Sequence, residues 1–111
     1  MGFGEAISTC FRKYVDFNGR AVRSEYWFFA LFQFLVLVAL SIVDAVVGTG
    51  VLSTLGTLAL LLPALAVGAR RLHDTDKSAW WLLIGLIPLV GAIVLIVFFV
   101  QPGTPGANRF G

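Results

Sequence analysis

The chain has 111 residues, room for one domain, and 59% of them are hydrophobic against 13% charged. A soluble domain of that size has too little interior to hide so much apolar surface, so lipid is the expected solvent for most of the chain. The formal net charge is +2, and where the charges fall matters more than their sum.

Taken in chain order, residues 1–25 contain no uninterrupted apolar core of the kind a cleaved signal needs. Phe3, Ile7, Cys10, Phe11 and Tyr14 instead recur at helical spacing opposite Glu5, Ser8, Arg12 and Lys13. That pattern predicts an amphipathic helix over 3–17, lying in the headgroup layer and ended by Asn18-Gly19. Residues 26–43 follow with only Gln33 and Ser41 polar, then 51–69 and 80–100 without a charge. At 1.5 Å per helical residue each run matches a hydrocarbon layer of about 30 Å. All three are apolar on every side, unlike the alternating strands of a spanning barrel.

The expected fold is an all-α membrane protein forming one integral membrane domain over 1–111. It comprises the interfacial helix and three transmembrane helices at 26–47, 51–69 and 80–100. Gly85, Pro88 and Gly91 interrupt the third run, which predicts either one kinked crossing or a re-entrant hairpin that dips in and returns.

Arg12, Lys13, Arg20 and Arg23 precede the first span, and Arg70, Arg71 and Lys77 fall in a polar loop expected at 70–79. The turn Gly48-Thr49-Gly50 has no basic residue, so seven of the eight lie on one side of the membrane. The positive-inside rule makes that side, and the N-terminus with it, cytoplasmic. Three crossings leave the tail QPGTPGANRFG outside with Arg109; a re-entrant hairpin brings Asn108 and Arg109 inside. Cys10 has no partner for an internal disulfide, and on the reducing side it is expected as a free thiol.

Two polar clusters stand out. Arg20, Arg23 and Glu25 precede Tyr26-Trp27-Phe28-Phe29, while Arg70, Arg71, His73, Asp74 and Lys77 precede Trp80-Trp81. Basic residues that set topology and tryptophans that anchor helix ends account for most of this. The acids Glu25, Asp74 and Asp76 do not serve topology, and their interleaving predicts pairing with Arg20, Arg23, Arg70 or Arg71 across the two segments. Arginines left over would bind a phosphate or an anionic headgroup. One histidine beside two aspartates supplies neither a metal ligand set nor a nucleophile motif, so no metal, cofactor or catalytic residue is expected. Asp44, near the end of the first span, is read as sitting at the outer interface in water. Drawn inward with Gln33 it would line a polar path in an oligomer.

Four stretches in order, FNGRAVRSEYWFF at 17–29, ARRLHDTDKSAWWLL at 69–83, IPLVG at 87–91 and PGTPGANRFG at 102–111, resemble family 805 of the domains of unknown function. The second is the most specific. The family usually carries glycine where Asp76 and Ala79 stand here and tyrosine where Phe110 stands, departures that remove no charged residue of the motif. The resemblance implies a multi-pass protein of the bacterial inner membrane and supplies no reaction, substrate or cofactor.

The function expected is non-catalytic: binding of anionic membrane lipid, a membrane-protein partner or further copies of the chain, with no nucleic-acid partner. Arg20, Arg23, Glu25, Arg70, Arg71, His73, Asp74, Lys77, Trp80 and Trp81 are the candidate contact residues, joined by Asn108 and Arg109 if the tail is cytoplasmic. Small residues Gly56, Ala59, Ala64, Ala66 and Gly68 on the second span would admit close helix contact. The alternatives are a channel or transporter component and an enzyme acting on lipid headgroups.

Overall fold

The structure, a computed structural model, describes residues 2–111. Its elements in order are α1 (Phe3–Arg12), α2 (Arg23–Val47), α3 (Val51–Asp74), a 3₁₀ segment (Ala79–Leu86) and α4 (Val90–Val100), with no strand among the described residues. α2 and α3 form an antiparallel hairpin and are the two helices long and apolar enough to cross a membrane. At 25 residues α2 is about 37 Å long. Its outer surface is apolar and uncovered: Phe34, Leu35, Ile42 and Val46 all face outward. Apolar surface of that extent is tolerated in lipid and not in water.

The turn between the two helices rests on Asp44. Its carboxylate accepts from the backbone N–H of Leu52 (3.1 Å) and Ser53 (2.8 Å), donors that the first turn of α3 leaves unpaired, and from the Thr49 hydroxyl at 3.2 Å. Asp44 is buried as a helix cap, and not open to water as its position on the rim of the span suggests.

α1 is shorter than its hydrophobic pattern predicts, ending at Arg12 instead of residue 17. It lies across the first turns of α2, with Phe3 against Phe28 and Phe11 against Phe29 and Phe32. Tyr14 just beyond it makes a compensating contact. Pro63 inside α3 has no N–H to give the Ala59 carbonyl four residues earlier, and the Tyr14 hydroxyl donates to that carbonyl instead.

One further boundary departs from expectation, and the third run takes the second of its two expected forms, a chain that turns back on itself. α3 does not stop at residue 69 before a charged loop; it continues through Arg70, Arg71 and His73 to Asp74. Those side chains are buried against partners, and cations in a last helical turn suit the carbonyl-rich end. Nor is the run 80–100 one helix. The 3₁₀ segment leads away from Ser78, the backbone turns at Ile87–Leu89 with Leu89 at φ +65°, and α4 returns alongside. Pro88 favours the extended backbone seen at Ile87 (ψ 111°) and so stops the helical path. The arms meet at Gly91, where a Cβ would run into the Ile84 carbonyl. Lys77 Nζ, before the hairpin, lies 2.9 Å from Gln101 Oε1, after it.

The small residues of α3 face inward, except that Ala59 is exposed and Ala64 is half-buried. Gly56 lies under Leu40, Gly68 under Leu82 and Phe99, and Ala66 and Ala69 are fully buried.

Candidate functional site

The returning hairpin carries residues 101–111 onto the end of the molecule that holds Arg20–Glu25 and the C-terminal turns of α3. Three carboxylates organise the region. Glu25 pairs with Arg70, both side chains being buried. Asp74 holds two arginines, Arg20 at 2.8 Å and Arg71 at 2.8 Å. Asp76 pairs with Arg109 at 3.1 Å, out in solvent.

Arg71 is fully buried and ties three segments to α3. Its Nε donates to the Phe99 carbonyl at 3.0 Å, one Nη to the Ala21 carbonyl at 3.3 Å and the other to the Gln101 carbonyl. The last carbonyls of α4 have no intrahelical partner, and α4 has no basic residue in its own last turn. α2 and α3 provide the donors: Arg71, Trp27 Nε1 to Phe99 O at 3.2 Å, and Arg23 to Val100 O at 3.4 Å. A cation there also complements the negative end of the helix dipole. This cap explains why the hairpin closes where it does.

Arg20 secures the tail. Its guanidinium reaches the carbonyls of Thr104 (2.6 Å) and Gly106 (2.5 Å) while Nε keeps Asp74. The Thr104 N–H donates to the Asp74 carbonyl at 2.6 Å, and Gly103 passes so close that a Cβ would collide with the Asp74 carboxylate. Asn108 donates to the His73 carbonyl at 2.8 Å. His73 is itself occupied: Nδ1 lies 2.9 Å from the Gly19 carbonyl, and the ring stacks on Phe110 at 3.9 Å between centroids and 6° between planes.

On the inner face of α1, Cys10 is fully buried and its thiol lies 3.8 Å from Glu25 Oε2. Burial first, and then the Glu25 carboxylate, push the thiol up to about 11, so it stays protonated and donates. Arg70 is fully buried too; one nitrogen pairs with Glu25, and Nε and the second Nη have no partner among the described residues.

The cluster thus joins Arg20, Glu25, Arg70, Arg71, His73, Asp74, Asn108 and Arg109. Lys77 sits at its edge over the Phe98 ring at 4.9 Å. Arg23 reaches only a carbonyl. The tryptophans stand apart: Trp81 packs edge-on to Phe98, and Trp80 is 77% exposed. Sequence reasoning missed Cys10, Thr104, Gly103 and Phe110. The first was read as one of α1's apolar positions, and the rest act through backbone or ring contacts that leave no charge pattern.

Apolar outward-facing helices and a buried arginine cluster define a small all-helical membrane protein. The chain belongs to the family described as Protein of unknown function (DUF805), whose model matches residues 14–111. It is similar to "Inner membrane protein YhaH" of Escherichia coli (strain K12), 47% identical over 106 residues that cover 90% of this chain and 88% of that protein. It is also similar to "Inner membrane protein YhaI" of the same organism, 45% identical over 102 residues that cover 90% and 86%. No solved structure matches the chain.

Proposed function

We propose that the chain is a non-catalytic module of the inner membrane that crosses twice, keeps both its ends and the mouth of its hairpin on the cytoplasmic side, and binds anionic lipid headgroups there. The observation that carries this reading is the division of its cations. Among the described residues Arg20, Arg70, Arg71 and Arg109 are each in an ion pair and Lys77 is held by Gln101 and the Phe98 ring, whereas Arg12, Lys13 and Arg23 have no carboxylate partner. With two crossings all eight basic residues fall in segments on one side of the membrane, and the positive-inside rule supports that side's being cytoplasmic. Arg20, Arg70 and Arg71 against Glu25 and Asp74 leave one positive charge, and Arg23 beside them adds a second. Engagement of His73 by Gly19 and Phe110 favours a structural role for it over catalysis.

The binding residues therefore move from Arg70 and Arg71 to Arg12, Lys13 and Arg23. At about 1 kcal/mol for each basic residue near an anionic surface, replacing all three with alanine is expected to weaken lipid retention about 100-fold. Mass spectrometry of lipid co-purified with the wild type and with Arg12→Ala/Lys13→Ala/Arg23→Ala reads this. Equal retention of anionic phospholipid by the two proteins refutes the assignment.

A further inference from the structure

We propose that the protein is a one-sided wedge, filling the cytoplasmic leaflet about twice as fully as the outer one, and that the surface it fits is a bilayer whose cytoplasmic leaflet is convex. This rests on the two-crossing reading above. At the cluster end four rods stand side by side, namely α2, α3, the 3₁₀ segment and α4, with α1 lying across α2. At the other end only α2 and α3 remain, joined by the Asp44 turn. With helix diameters of 10–12 Å, that is a cross-section of about 400 Å² in one leaflet against about 200 Å² in the other.

The depth of the hairpin decides this. α4 has 11 residues and so descends about 16 Å, close to half of a hydrocarbon layer of about 30 Å. Its upper end is fixed near the start of α2 by the Tyr26 and Phe99 rings, 4.3 Å apart, so its tip stops near the midplane. That tip is apolar and uncovered, with Leu86 80% and Leu89 74% exposed. Its backbone is largely paired locally: Ile87 N–H donates to Ile84 O, Gly91 N–H to Ile87 O and Ile93 N–H to Leu89 O. Such a tip can rest among acyl chains without water or a second protein. α1 adds to the same leaflet, with Phe3 and Phe11 half-exposed beside the α2 aromatics. Extra volume in one leaflet crowds its headgroups and chains, and the crowding is relieved where that leaflet already bends outward.

The test uses the full-length protein with a fluorophore at the tail and a second at the N-terminus, reconstituted in giant vesicles from which a narrow tether is pulled. Externally added quencher reports which side each label occupies. Protein whose tail faces outward is expected to be enriched in the tether about two-fold or more relative to lipid dye, and protein whose tail faces inward to be depleted, because the curvature that its cytoplasmic half meets has the opposite sign. Equal density in both orientations, with the two labels on one side, overturns the wedge and leaves the two-crossing reading standing. Labels on opposite sides overturn both. Enrichment that ignores orientation and grows with protein density also overturns it, since a second copy then covers the hairpin.

Discussion

Each end of the α2–α3 pair buries a carboxylate near the membrane boundary, and the two ends solve the same electrostatic problem with different materials. Asp44 is neutralised by hydrogen bonds from residues five to nine positions on, chiefly the first backbone N–H groups of α3. Glu25 is neutralised by an arginine 45 positions away, and Asp74 by one 54 positions away together with Arg71 three residues before it; the distant arginines come close only when the whole chain is folded. A local cap needs a turn of the right length. The long-range pairs need α1, α2, α3, the hairpin and the tail in place together, so the cluster end is where folding of the parts becomes mutually dependent.

The largest effect is therefore expected from splitting Glu25 from Arg70. Glu25→Gln leaves a fully buried guanidinium without its counter-charge and is expected to cost about 3–5 kcal/mol, measured by reversible unfolding in detergent. The paired change Glu25→Leu/Arg70→Met removes both charges, and it should recover most of that loss because the desolvation cost goes with them. If the double variant is as unstable as the single one, the pair does not act as a unit. Asp44→Asn keeps one acceptor oxygen among donors that the backbone supplies locally, so its loss should be about a third of the Glu25→Gln loss or less. A comparable loss would mean that the two ends are equally interdependent.

The same contrast governs what could be read in the sequence. α2, α3 and the apolar hairpin stretch are visible because lipid imposes composition residue by residue, and Pro88 with Gly91 marked the place where the third run breaks. The interleaving of Glu25, Asp74 and Asp76 with arginines pointed to cross-segment pairing. It was not legible that RRLHD is helical, because isolated charges read as a loop until their buried partners are known. Nor was it legible that Asp76 would take Arg109, or that Arg71 would cap α4: carbonyl acceptors such as Phe99 O and Gln101 O exist at every residue and carry no sequence signal. The Asp44 cap lay within nine residues and was open to a local reading, but a carboxylate at the rim of a span suggests water first.

Asp76 and Arg109 provide the smallest perturbation and the sharpest check on the tail. Asp76 sits at φ +58°, a backbone region that glycine enters freely and aspartate tolerates better than most residues. Its pairing with Arg109 is exposed, so replacement by glycine exchanges a weak ion pair for an unstrained backbone. Asp76→Gly is expected to move the melting temperature by about 3 °C or less. The pH dependence has a definite sign. The Arg109 hydrogen bond holds the Asp76 carboxyl below its ordinary 3.8, so whatever the pair contributes is present above 3.8 and disappears as pH falls through the lower folded value. The Nε–H resonance of Arg109, followed by NMR in detergent, should stay constant down to about pH 4 and then move toward its free position. In Asp76→Gly it should lie there at every pH. A resonance in the wild type that is already at the free position at pH 7 would mean that the last turn of the tail is not fastened through Asp76, and that Arg20, Asn108 and the His73–Phe110 stack hold it.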